Sequence, residues 1–296
     1  MSRCRLDVGV MLKTILLLGH TGKLGSALYG SLSSDYLVIG KNSRDFDAAN
    51  FDQVTWLVDE LRPDIIINTV AFMGIDACEL DPERAQLINT LLPGHLAKLA
   101  AKLGITLVHF STDAVFNDDK KDYYTENDIP SPLNMYGITK HGGECLVRSR
   151  CRQHYIFRVP LLFGECSKKS QFVEKMLEFL YAGQKNIRVS SDLVSSPTYT
   201  FDLADNITQM LLNETPFGTY HLANEGKVSL FELMAEIVAL LKIEATVEKA
   251  SYMDFPFIGT KNTFTPMKSI KTAGLRPWQK AVEDYCRRLT GDAKNG

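Results

Sequence analysis

Tyr136 and Lys140 stand four residues apart in the stretch SPLNMYGITKHGG, 131–143. On a helix, positions i and i+4 share a face, so both side chains can enter one pocket. Upstream, VHFSTDAVF ends an apolar run on Ser111, Thr112 and Asp113. Strand-end hydroxyls followed by a tyrosine–lysine helix suit proton delivery to a ketone during hydride transfer. The carbonyl oxygen becomes an alkoxide and needs a proton. A free tyrosine, with a pKa of ~10, gives one up slowly near neutral pH. A nearby Lys140 ammonium would stabilise the phenolate and lower that pKa. Thr112 would donate a hydrogen bond to the substrate oxygen, and Lys140 would hold the ribose hydroxyls beside a nicotinamide. A Tyr-x-x-x-Lys pair by itself occurs by chance in many helices. It gains weight here from what precedes it.

What precedes it is LLLGHTGKLGSAL, 16–28, with Gly19, Gly22 and Gly25 between an apolar run and a helical one. Glycines there allow a tight turn, close approach of a pyrophosphate and close packing of helix on strand. The helix N-terminus then offers its unpaired N–H groups to phosphate. The text after the second strand, VIGKNSRDFD, 38–47, carries Lys41 and Arg44 and no acid at the strand tip. A basic residue there accepts the 2′-phosphate of NADP, whereas an acid would bind the ribose of NAD. The expected cofactor is therefore NADPH, with NADH as the alternative. Asp47 either meets the adenine edge or caps the next helix.

The elements that must hold these groups alternate. Short apolar runs at 13–19, 35–40, 64–71, 105–112 and 155–164 read as strands. Helical patterns occupy 23–33, 50–62 and 81–104, and another opens at Tyr136. Asp81 and Pro82 suit a helix start, and Pro93 should kink or split that helix. Repeated strand–helix–strand units predict an α/β fold, a Rossmann-type doubly wound parallel sheet. Later, 170–183, 229–242 and 281–289 read as helices and 218–223 as a strand. The expected division is a nucleotide-binding domain over 12–164, with 187–212 returning to it. A smaller C-terminal substrate lobe would comprise 165–186 and 213–296, above the carboxyl ends of the strands.

Composition excludes other classes. Lys plus Arg number 33 and Asp plus Glu 35, for a net charge of −2. No basic excess points to nucleic acid or a membrane surface. No apolar run reaches the ~18 residues of a membrane span. Cys4, Cys78, Cys145, Cys151, Cys166 and Cys286 are scattered, with no metal-binding spacing, as in a reduced cytoplasmic protein. His109 lies in an apolar run and reads as a core residue. Arg3 and Arg5 precede the first apolar run, which enters a glycine turn instead of a cleavage site. Either Met1 or Met11 could be the start.

With these residues in place, the sequence resembles the extended short-chain dehydrogenases/reductases, and within them the dTDP-4-dehydrorhamnose reductase family. The likeness rests on GHTGKLG, RPDIIINTVA, AQLINTLLPGHLAKLA, STDAVF, PLNMYGITKHGGE, FRVPLLFG, SSPTYTFDLAD and GTYHLAN, across about 13–225. A weaker echo continues in KNTFTPMKSI and GLRPWQKAVEDY. The resemblance implies NADPH-dependent reduction of the 4-keto group of a nucleotide-linked 6-deoxysugar, with Thr112, Tyr136 and Lys140 as the catalytic set. It implies a cofactor site of Thr21, Gly22, Lys23, Leu24, Asp47, Val70, Ala71 and Phe72, beside Gly19, Gly25 and Arg44. Thr112, Asp113, Ala114 and Leu161 would meet the substrate. Ala114 stands where the family usually has an aromatic, Leu161 where it has tryptophan, and Leu193 and Ser195 where it tends to have glutamine and glycine. A dehydratase would want an acid pair after the threonine, and Asp113-Ala114 does not supply it. RVPLLFGE also resembles the NADP-binding regulatory subunit of methionine adenosyltransferase, a rival without catalysis. The oligomeric state stays open, with a homodimer among the alternatives.

Overall fold

The computed structural model describes residues 12–165 and 171–291. Cys4, Cys166, Arg3, Arg5, Ser170 and both candidate start methionines lie outside the described residues.

Six parallel strands form the central sheet: β1 (Thr14–Leu18), β2 (Leu37–Lys41), β3 (Ile65–Asn68), β4 (Thr106–Thr112), β5 (His154–Val159) and a later strand at Gly218–His221. Across the sheet they lie in the order β2-β1-β3-β4-β5, with the late strand on the far edge. Leu16 is level with both Ile39 and Ile66, and Val108 with Ile67 and Tyr155. The order reverses between β1 and β3, and a ligand crevice opens there at the carboxyl ends.

These strands are apolar throughout because both faces are covered. Ile15, Leu17, Ile67, Val108 and Phe157 pack on one side, under α1 (Lys23–Leu32) and a late helix, Thr200–Leu212. Leu16, Leu18, Ile66, Leu107 and Ile156 pack on the other, under α2 (Phe51–Leu61) and residues Leu92, Leu96 and Ala100 of a long helical segment. Each fully buried leucine or isoleucine contributes roughly 1.5–3 kcal/mol.

That segment follows α3 (Ile75–Leu80) and runs as α4 (Pro82–Gln86), a π turn at Leu87–Leu91 and α5 (Leu92–Leu103). Asp81 caps α4 by accepting from the Arg84 N–H at 3.0 Å. Pro93 falls in the first turn of α5, where its missing N–H breaks the regular ladder, as the sequence led us to expect. The π turn directs buried Asn89 at the loop after β3. Its side chain accepts from the Phe72 N–H and donates to the Phe72 carbonyl, both at 2.9 Å.

Helix α6 (Met135–Arg150) carries Tyr136 and Lys140. One turn beyond Lys140, Glu144 meets Arg158 of β5 in a fully buried, two-point ion pair at 2.9 and 2.7 Å.

The remaining elements are β6 (Leu162–Phe163), α7 (Phe172–Tyr181), β7 (Asn186–Ser190), β8 (Val194–Ser195), β9 (Thr198–Tyr199), α8 (Thr200–Leu212), β10 (Gly218–His221), β11 (Asn224–Glu225), β12 (Val228–Ser229), α9 (Leu230–Leu240), β13 (Thr246–Ala250), β14 (Leu275–Pro277) and α10 (Trp278–Leu289). They correct the expected division in two places. β10 joins the central sheet beside β5, although it was assigned to the lobe. β7 pairs with β13 in the lobe, although it was expected to return to the main sheet. The run expected as one strand over 155–164 breaks at Pro160, which cannot donate to a ladder. β6 then pairs with β9 instead. The lobe has its own core, with Phe163, Leu177, Tyr199, Ile237 and Tyr285 among its members.

Burial alone would raise the Glu144 carboxyl; the Arg158 hydrogen bonds, with help from His141, outweigh it and hold the group well below the ordinary carboxylate range. A depressed carboxylate adds stability that is complete above its unfolded pKa of ~4.3 and lost as pH falls toward the folded value. Arg158→Ala removes the buried partner of that charge and leaves it only the exposed Arg148 at 3.0 Å and His141. It should destabilise the fold by about 3–5 kcal/mol at neutral pH, read as a lowered urea midpoint, with the deficit shrinking under acid.

Candidate active site

A cavity of about 450 Å³ opens where the sheet order reverses, between the strand ends and the lobe. Its Rossmann wall comes from Gly22, Lys23, Leu24 and Gly25, from Thr69, Val70 and Ala71, and from Ser111, Thr112, Asp113, Tyr136 and Lys140. Its lobe wall includes Leu161, Leu193, Ser195, Leu230, Lys261 and Thr265.

The glycine turn is built by exclusion. Gly19 has φ +87°, and a methyl on it would stand 2.5 Å from the Thr69 hydroxyl. A methyl on Gly25 would lie 2.2 Å from the Gly19 carbonyl oxygen. Gly22 precedes α1 with no side-chain cap, and the first turn holds no acid. The N-terminus of α1 therefore lies at the cavity with no side-chain cap, which fits the pyrophosphate of a dinucleotide.

The other expected cofactor residues divide. Val70 and Ala71 line the cavity. Gly19, Thr21 and Phe72 do not; Gly19 shapes the turn and Phe72 is engaged by Asn89. Arg44 is exposed in the turn after β2, where its N–H donates to Asn42. That turn adjoins the glycine turn, since the Gly19 N–H donates to the Lys41 carbonyl at 2.7 Å. Asp47 is outside the cavity and accepts from the Ala49 N–H, while Asn50 is the residue that caps α2. Lys23 is buried, and its ammonium pairs with Glu174 of α7 at 2.5 Å. It links the turn to the lobe.

At the other end, the Thr112 hydroxyl donates to Asp113 at 3.0 Å and lies in hydrogen-bond reach of the Tyr136 phenol. The Asp113 carboxylate also accepts from Thr265 at 2.7 Å and from Ser195 at 3.4 Å. Burial raises the Asp113 pKa against these three hydroxyls. Lys140 is buried and donates to the Phe110 carbonyl. Burial brings its pKa down to about 8, opposed by the charges of Glu144 and Cys78.

Here the structure corrects the sequence argument. The Tyr136 pKa is raised, first by burial and then by the Asp113 carboxylate, with Thr112 opposing. The expected lowering by Lys140 is absent because that ammonium is turned to the strand carbonyl. Ala114 and Leu161 line the cavity as expected, and Leu193 and Ser195 join them. Sequence reasoning missed Lys261, Asn262 and Thr265, which only the weak echo KNTFTPMKSI could have flagged.

The fold and the tyrosine–lysine helix place this chain among the extended short-chain dehydrogenases/reductases. More narrowly, residues 13–290 match the family described as RmlD substrate binding domain, and the chain belongs to that family. It is 32% identical over 302 residues to a dTDP-4-dehydrorhamnose reductase of Mycolicibacterium smegmatis, covering 99% of this chain and 90% of that one. A crystal structure of dTDP-4-dehydrorhamnose reductase from Bacillus anthracis in complex with NADP superposes with a TM-score of 0.88 at 28% identity, covering 93% and 99% of the two chains. The rat methionine adenosyltransferase 2 subunit beta is 29% identical over 285 residues, covering 91% and 85%. Among the described residues, no group of three or more His, Cys, Asp or Glu could hold a metal ion, and no helix is long and apolar enough to cross a membrane.

Gly25→Ala drives a methyl into the Gly19 carbonyl and must open the turn. NADPH affinity should fall at least about tenfold in a fluorescence titration, the size of one lost hydrogen bond to a charged group. Unchanged affinity would place the dinucleotide elsewhere.

Proposed function

We propose that this protein reduces the 4-keto group of a nucleotide-linked 6-deoxysugar with NADPH, and that Thr112, Tyr136 and Lys140 form its catalytic set. The observation that carries this is the half-buried Tyr136 with its phenol beside Thr112, in a cavity that also receives the N-terminus of α1. The names of the similar reductases support the substrate class.

The first-turn N–H groups at Leu24 and Gly25 would hold the cofactor pyrophosphate, with Arg44 beside the adenine ribose. When bound, the nicotinamide supplies the hydride. The chain supplies everything else. A phenol with a raised pKa keeps its proton at neutral pH, so Tyr136 is loaded as an acid before substrate arrives. It donates that proton to the carbonyl oxygen as negative charge develops there. Thr112, held by Asp113, orients the phenol from the side. Lys140 sits one helical turn away, and its ammonium would leave the Phe110 carbonyl to meet the ribose hydroxyls. The lobe wall of Leu161, Leu193 and Leu230 keeps water off the reacting carbon. A cytoplasmic enzyme fits this reading, and the four cysteines among the described residues are free thiols.

NADPH oxidation with a panel of dTDP- and GDP-linked 4-keto-6-deoxysugars tests the activity. Tight NADP binding without turnover of any sugar would favour the regulatory-subunit reading. Tyr136→Phe should lose ~10²–10⁴ in kcat with NADPH affinity unchanged; full activity would remove Tyr136 as the donor. Asp113→Asn removes a negative charge that raises the Tyr136 pKa. The phenol then loses its proton at lower pH, and the alkaline limb of kcat for reduction should shift to lower pH. An unmoved limb would mean that another group titrates there.

A further inference from the structure

We propose that Lys261 binds the diphosphate of the nucleotide-sugar substrate and sets its distance from Tyr136. This rests on the substrate class proposed above and adds the residue that reads it.

Three lysines line the cavity, and two are committed. Lys23 is neutralised by Glu174, and Lys140 is turned to the Phe110 carbonyl one helical turn from the phenol. Lys261 makes no ion pair with any described carboxylate. Its ammonium stands 4.1 Å over the Phe257 ring, and it faces the cavity from the lobe side. Burial lowers its pKa, with the Asp76 charge opposing. An anion arriving beside it would relieve that cost. A dinucleotide and a nucleotide sugar bring one diphosphate each. The N-terminus of α1 serves the first. Around the second, the wall of Leu161, Leu193 and Leu230 offers no charge.

The backbone fixes where Lys261 stands. Asp76 accepts from the Ile258 and Gly259 N–H groups at 3.0 and 3.2 Å. A methyl on Gly259 would meet Ile75 at 2.5 Å and Glu79 at 2.8 Å, so the segment lies flat on α3. Asn134, the cap of α6, donates to the Thr260 carbonyl at 2.8 Å and to the Asn262 side chain at 3.0 Å. The two flanks of Lys261 are thus tied to a residue two positions before Tyr136. Asn262 is itself occupied, donating to the Phe116 carbonyl at 2.6 Å. A diphosphate on Lys261 would therefore be held at a position fixed by the cap of the helix that carries Tyr136.

Calorimetric titration of wild type, Lys261→Ala and Lys261→Arg with dTDP, UDP, GDP, thymidine and NADPH tests this. The alanine variant should bind the preferred diphosphate about 10–100-fold more weakly, the size of a charge-assisted phosphate contact. Thymidine and NADPH should be unaffected, and arginine should restore most of the loss. In turnover, KM for the keto-sugar should rise by the same factor with little change in kcat. Equal diphosphate affinity in wild type and Lys261→Ala would overturn the proposal. So would a matching loss for NADPH, or a wild type that binds none of the three diphosphates. Wild type that binds a diphosphate through Lys261 yet reduces no keto-sugar would sink the reductase reading alone.

Discussion

Helix α6 lies closer to its neighbours than any side chain would allow, and the site depends on that approach. A methyl on Gly137 would stand 2.1 Å from the Ala114 carbonyl oxygen, and one on Gly143 would stand 2.3 Å from the Asn89 carbonyl oxygen. Each glycine costs a helix up to about 1 kcal/mol relative to alanine. In return the helix axis sits against the end of β4 and the π turn. Tyr136 then reaches Thr112, and Lys140 reaches Phe110. The same approach lets Thr90 donate to the Thr139 carbonyl and Asn89 donate to the Thr139 hydroxyl. The π turn is thus what keeps the loop after β3 and α6 in one frame.

Along α6, Tyr136, Lys140 and Glu144 recur every four residues and form one inward stripe. Each meets a different partner: the Thr112 hydroxyl, the Phe110 carbonyl and the Arg158 guanidinium. The first two are at the cavity; the third is wholly buried. The stripe therefore runs from chemistry to core. A buried ion pair contributes little net stability, since desolvation offsets attraction, but it is strict about geometry. Here that strictness falls on the helix that carries the proposed proton donor.

What was legible in the sequence was local. The glycine turn, the apolar strands and the tyrosine–lysine spacing are set by residues within a few positions of each other, and the parallel sheet follows from their repetition. The lobe wall was not legible. Lys261 and Thr265 sit on irregular chain more than a hundred residues after Tyr136, in a stretch without periodicity, and only packing against α3 and Asn134 brings them to the cavity. The membership of β10 was missed for a related reason: a strand beside β5 and a lobe strand have the same pattern. The Tyr136 pKa was missed because spacing says which charges are near and says nothing of burial.

That burial is itself a product of the lobe. Lys23–Glu174 ties the lobe to the glycine turn, Asp113 ties Thr265 and Ser195 to the end of β4, and Asp76 and Asn134 hold the segment that carries Lys261. These three ties lie around one cavity, and together they close it over Tyr136 and Lys140. Low dielectric then keeps the phenol protonated until charge develops beside it, and it weakens the ammonium's hold on its own proton. Opening the lobe would rehydrate both groups and return them toward their ordinary values. In the proposed reaction the lobe would thus shape the substrate site and also set the protonation state of the acid that protonates the developing alkoxide.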